Sequence, residues 1–259
     1  MLCTASRAGS PWWRVGLPWR AAVGLIGVVV ASAALLPAEA LIGRDVRRLD
    51  AQVAAEAHAF TASERAVHLA AQTVTFFGST VWLTVMVAAL VVYWSRRGRR
   101  NTAVLVLVVS IGSAVVCRTI KFVVERDRPD LAPALADPHG SSFPSGHAMQ
   151  AVAIYGVLLA IALPSIRARG RRVVVLLVVS LIAGIAASRA LLGVHYVSDI
   201  TVGALLGLVW LVLVALAEPT ILEQCVARTD PGTSRDKDRH DAAKPLDELT
   251  RAATSSSDR

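Results

Sequence analysis

Hydrophobic positions in this 259-residue chain gather into six almost uncharged runs: Ala21–Ala38, Leu69–Ser95, Thr102–Cys117, Ala148–Ile166, Val173–Ser188 and Val197–Ala217. Crossing a bilayer takes about 20 helical residues. The runs are of that order and carry almost no polar stripe, unlike helices that cover a soluble core. The pattern predicts an all-α polytopic membrane protein with six transmembrane helices.

Between the first two runs the spacing changes. Ile42, Val46, Leu49, Val53, Ala57 and Phe60 recur at steps of three and four, with Arg44, Asp45, Arg47, Arg48, Asp50 and Glu56 filling the other positions. That period predicts an amphipathic helix in a connector over residues 41–68, lying on the outer leaflet. Residues 1–20 read as a basic cytoplasmic leader whose Trp12, Trp13 and Trp19 suit a membrane interface. Residues 21–217 then form the membrane domain. Residues 218–259 lose the hydrophobicity, and their Asp, Arg, Lys, Ser and Thr predict a disordered tail. The first run ends in Pro37-Ala38-Glu39-Ala40, an A-x-A pattern like a signal-peptidase site. A retained first helix fits better, because it leaves both chain ends on one side.

Composition sharpens this picture. The chain is 54% hydrophobic, against about 45–50% for soluble domains. Its net charge of +8 would suit nucleic acid, but the arginines sit between apolar runs. Arg96, Arg97, Arg99 and Arg100 make one cluster, and Arg167, Arg169, Arg171 and Arg172 another. Short basic loops stay cytoplasmic. Alternating from these two anchors puts both termini in the cytoplasm and the opposite helix ends outside a plasma membrane. The basic balance therefore reads as topology and contact with lipid, with no nucleic-acid partner. Cys3, Cys117 and Cys225 are too few and too scattered for a disulfide framework or a metal site.

Three motifs fall at the predicted outer ends. In Lys121-x6-Arg128-Pro129 the third run stops where Arg118 and Lys121 begin. If the helix continues, Lys121 and Arg128 converge on one anion; Lys121 pairing with Glu125 is the plainer alternative. Pro144-Ser145-Gly146-His147 precedes the fourth run. A tight turn there would turn backbone N–H groups and the Ser145 hydroxyl toward a phosphate at a helix N-terminus, with His147 beside it. In Ser188-Arg189-x5-His195-x3-Asp199 the last two side chains are four apart, on one helical face. Asp199 can then hold one imidazole nitrogen while the other attacks, and Arg189 offers a fork for phosphate oxygens. Charges at membrane helices are costly and usually functional.

In this order the motifs are similar to the full signature of the type 2 phosphatidic acid phosphatase superfamily, membrane lipid phosphatases related to vanadium haloperoxidases. The resemblance covers about Arg118 to Asp199 and shows no departure at a signature position. It implies that His195 attacks phosphorus, that Asp199 holds its tautomer, and that His147 protonates the leaving group and then activates water. Lys121, Arg128, Ser145, the Gly146 N–H and Arg189 would bind the non-bridging oxygens. The resemblance implies no metal and no cofactor. The expected substrate is a lipid phosphate or diphosphate drawn from the bilayer. A polyprenyl diphosphate comes first, then phosphatidic acid or phosphatidylglycerol phosphate. Rival readings are a phosphotransferase with another acceptor and a membrane anion transporter. His139 lies in the outer loop, and nothing in the chain specifies an oligomer.

Overall fold

The computed structural model describes residues 44–131, 135 and 140–217. The first apolar run, the leader, Ile42, the Ala38-Glu39-Ala40 pattern, His139 and the tail lie outside the described residues. Within them the chain is all α: α1 (Arg44–Ser63), α2 (Arg65–Phe76), α3 (Thr80–Arg96), α4 (Arg100–Val124), α5 (Gly146–Ala162), a 3-10 turn (Leu163–Ser165), α6 (Ala168–Leu191) and α7 (Val197–Ala217). Five stretches among the described residues are long and apolar enough to cross a membrane, α2 and α3 together making one of them. Their outward side chains include Val81, Val85, Ile111, Phe122, Leu176 and Leu177, all exposed, as a lipid-facing surface requires.

Four expectations change in detail. The run Leu69–Ser95 is two helices, broken at Phe77-Gly78-Ser79. Glycine is a poor helix residue, and Ser79 caps α3 by accepting from the Trp82 N–H at 3.3 Å. The break is also used in packing: a Cβ at Gly78 would stand 2.4 Å from Ile185 Cγ2 and 3.1 Å from His147 Cδ2. The run that stops at Cys117 continues as helix through Arg118 and Lys121 to Val124. The second arginine cluster is no loop: Arg169, Arg171 and Arg172 lie in the first turns of α6. Cations there oppose the helix dipole.

The fourth change concerns α1. Its apolar positions Val46, Leu49, Val53 and Phe60 are exposed, while Asp50, Ala54, His58 and Thr61 are buried. The helix therefore docks on α6 and α7 through its small and polar face.

At the centre stands α5, which packs on α4, α6 and α7 and buries Met149, Ile154, Val157 and Ile161. Its contact with α7 is backbone to backbone. A Cβ at Gly203 would lie 2.5 Å from the Ser145 carbonyl oxygen, and one at Gly207 2.4 Å from that of Met149. Two small residues four apart allow this approach between membrane helices. Because Gly203 meets Ser145, the same contact fixes the start of α5 against the start of α7.

Candidate active site

One end of the bundle collects the C-terminal ends of α4 and α6 and the N-terminal ends of α5 and α7. Every residue expected to carry chemistry lies there. The Ser145 N–H donates to the Asp199 carbonyl at 3.0 Å, joining the second motif to the third. Arg128 Nη1 donates to the Val194 carbonyl at 2.8 Å, joining the first to the third. Lys121, Arg128, Arg189 and His195 all lie within electrostatic reach of His147.

His195 is 2% exposed and Asp199 is fully buried. The imidazole Nδ1 faces the Ser142 hydroxyl at 3.4 Å and Asp199 Oδ2 at 3.6 Å. Its Nε2 faces Arg128 Nη1 at 3.4 Å. The tautomer that suits both sides carries its proton on Nδ1 and leaves the Nε2 lone pair toward the cations. Burial pushes the imidazole down to about 4, against the pull of Asp199, with Arg128 and Arg189 adding to the downward shift. The ring is therefore neutral near pH 7, as a nitrogen nucleophile must be. Asp199 Oδ2 also accepts from Ser142 Oγ at 2.5 Å and from the Tyr196 N–H at 3.0 Å.

The cations have distinct settings. Lys121 Nζ donates to the Ser141 carbonyl at 2.5 Å, so the lysine ties down the loop before the second motif instead of pairing with Glu125. Arg128 donates from Nε to the Gly140 carbonyl at 2.9 Å and from Nη2 to the Ser141 carbonyl at 3.3 Å. Burial lowers the Arg128 guanidinium from its ordinary value, opposed by Asp199. Arg189 is 7% exposed, and its Nη1 donates to Thr75 Oγ1 at 2.8 Å. Beside Lys121 and Arg128, an open cavity of about 490 Å³ is also lined by Gly140 and Ser141.

The second motif differs from the expected tight turn. Gly146 is the first residue of α5, with Ser145 as its N-cap, and it is not among the glycines of positive φ. First-turn N–H groups have no partner within a helix, so the start of α5 offers donors by helix geometry alone. Ser145 does not use its side chain to cap them. Its Oγ and the Arg189 Nε are both buried without a hydrogen-bond partner among the described residues. Each is a buried polar atom that calls for a partner the described residues do not supply.

Four contributors were not singled out from the sequence. Ser142 bridges His195 and Asp199, and Thr75 orients Arg189. Arg126 donates from Nη1 to Asp199 Oδ1 at 2.6 Å and from Nη2 to Asp50 Oδ2 at 3.1 Å. Arg126 stands inside the spacer of the first motif, where a third charge beside Arg128 was a usable signal. Asp50 gave none, because it sits on a helix whose polar face looked solvated.

Residues 102–222 match the family model of the PAP2 superfamily. Over 101 residues the chain is 40% identical to phosphatidylglycerophosphatase B of Bacillus subtilis (strain 168), covering 38% of this chain and 48% of that protein. The chain thus spans about half the length of that relative. Its fold resembles the crystal structure of a transmembrane PAP2-type phosphatidylglycerolphosphate phosphatase from Bacillus subtilis, with a TM-score of 0.63 at 24% identity over 79% of this chain and 98% of the other. The matched segment holds all three motifs and the helix ends that assemble them, and over that segment the chain is similar to the PAP2 superfamily.

Proposed function

We propose that the protein is a membrane lipid phosphatase working through a phosphohistidine on His195. The observation that carries this is the setting of the buried imidazole: Nδ1 is turned to Ser142 and Asp199, and Nε2 to the Arg128 guanidinium. Nε2 attacks phosphorus and the bond to the leaving oxygen breaks. His147 gives that oxygen a proton, then takes one from the water that cleaves the phosphorus–nitrogen bond. Lys121, Arg128, Arg189, Ser145 Oγ and the N–H groups opening α5 hold the non-bridging oxygens and offset the charge of the transition state. Fixed cations thereby do the work that metal ions do in kinases, and the reaction needs none.

The name of the relative at 40% identity favours phosphatidylglycerol phosphate as substrate, ahead of phosphatidic acid and polyprenyl diphosphates. The two arginine clusters at the opposite helix ends support a site facing outward from the plasma membrane, with both termini in the cytoplasm. The test is phosphate release by detergent-solubilised protein from those three lipids with EDTA present, beside His195→Ala. Release that disappears in the variant is the expected result. Strong inhibition by EDTA, or equal release by the variant, would falsify the mechanism. Phosphate transfer that requires an added acceptor would assign a phosphotransferase instead.

A further inference from the structure

Resting on that phosphohistidine reading, we infer that Asp50 and Arg126 are positioning residues that hold Asp199 in register with His195. We infer also that Asp50 balances the Arg126 charge, so that Asp199 keeps its own for the histidine. Arg126 stands in the spacer of the first motif, at no signature position, and Asp50 lies outside the segment that matches the family model.

The two oxygens of Asp199 have separate duties. Oδ1 accepts from Arg126 Nη1 at 2.6 Å. Oδ2 accepts from Ser142 Oγ and the Tyr196 N–H and faces His195 Nδ1. Arg126 thus fixes the rotation of the carboxylate, and with it which oxygen meets the imidazole. Its guanidinium is itself held on three sides. Nη1 reaches Ser198 Oγ at 2.8 Å, Nη2 reaches Asp50 Oδ2, and Cζ stands 4.4 Å from the centroid of the Tyr196 ring. Asp50 completes the bracket from α1. Its Oδ1 accepts from the Ser198 N–H at 3.1 Å and its Oδ2 from Ser198 Oγ. A carboxylate 148 residues away in sequence therefore caps the first turn of the helix that carries Asp199.

Charge decides what the bracket does. The side chains of Asp50, Arg126 and Asp199 are 5%, 11% and 0% exposed. A buried guanidinium bonded to Asp199 alone would spend that carboxylate's charge on itself. With Asp50 present the three groups sum to one negative charge, left for the imidazole that becomes cationic during turnover. Removing one member of a buried charge group leaves its partner uncompensated.

The test uses the full chain in detergent, with folding followed by thermal melting. Asp50→Asn keeps the shape and an acceptor for the Ser198 N–H but deletes the charge. It should lower kcat about 10-fold, the scale of groups that orient a catalytic residue, with KM within about twofold. Arg126→Gln should lower kcat at least as much. The double variant should lose less than the product of the single losses, since with Arg126 gone Asp50 has nothing to balance. Asp50→Glu, which restores the charge, should recover part of kcat and serves if Asp50→Asn does not fold. Parental kcat in folded Asp50→Asn, a loss confined to KM, or no recovery in folded Asp50→Glu overturns this inference alone, provided the parent is active and His195→Ala is not. A parent inactive on every substrate overturns the reaction itself and this role with it.

Discussion

The two sides of the proposed phosphate cradle are built differently. On the α4 side, Lys121 and Arg128 spend donors on the carbonyls of Gly140, Ser141 and Val194. On the α5–α6 side, Ser145 Oγ and Arg189 Nε are buried without a partner among the described residues. A buried donor left unsatisfied costs about 1–3 kcal/mol, a cost that one phosphate oxygen removes. The first side therefore shapes the loops through several bonds, whereas the second keeps one structural bond, Arg189 Nη1 to Thr75 Oγ1, and leaves two polar atoms unpartnered among the described residues. Mutations should separate the two sides, since one failure is of architecture and activity together and the other chiefly of activity.

The largest effect lies between them. His195→Ala removes the proposed attacking atom and should reduce kcat by on the order of 10⁴-fold or more, with the melting temperature in detergent hardly moved. A variant with one tenth of parental turnover would place the nucleophile elsewhere. Next come the two arginines. Arg189→Ala and Arg128→Ala should each lower kcat by roughly 10²–10³-fold, the scale for one donor to a developing anion. Arg128→Ala also releases Gly140, Ser141 and Val194. It should cost about 2 kcal/mol, or about 5 °C in melting temperature, more than Arg189→Ala, which releases Thr75 Oγ1. Equal melting temperatures for the two variants would erase the distinction between the sides.

Much of this arrangement was legible in the sequence because its signals are local. Membrane runs depend on apolar length, and the His195–Asp199 pairing on a helical step of four. Lys121 could be placed at a helix end because one further turn past Cys117 suffices. What escaped depends on contacts across the fold. Ser142 matters only because its loop crosses the start of α7, and Thr75 only because α2 packs on α6. The connector shows the limit most plainly. Hydrophobic periodicity found the helix α1 but suggested that its polar face was solvated. That rule assumes water around the molecule; here the exposed apolar side chains suit lipid, and Asp50 is free to serve the site.

Smaller effects sharpen the comparison. Ser145→Ala removes one hydroxyl that has no structural partner to lose among the described residues. It should therefore lower kcat/KM about 10-fold, the weight of a hydrogen bond to a charged group, without a change in stability. Lys121→Ala should behave as its neighbour does: the Ser141 carbonyl loses its donor, and activity and melting temperature should fall together. A Ser145→Ala variant that melts early would show that the hydroxyl holds the fold, and the contrast between the two sides would fail.

The smallest effect is on protonation, and its sign follows from the charges around His195. Burial holds the imidazole near 4, and Arg128 and Arg189 push the same way while Asp199 opposes them. A lowered value means that the neutral, nucleophilic ring survives as pH falls through 6.5 and is lost only near 4. Removing Arg128 takes away one cation that disfavours the charged ring, so the midpoint should rise in Arg128→Ala. It should stay well short of the ordinary histidine value, because burial, the leading cause, is unchanged. The carbon NMR shift of the His195 ring, assigned by its absence in His195→Ala, follows this titration without interference from substrate ionisation. A midpoint that falls or does not move would mean that Arg128 does not act on the His195 ring as its contact of 3.4 Å to Nε2 implies. One that reaches that of an exposed histidine would mean that burial is not the leading cause.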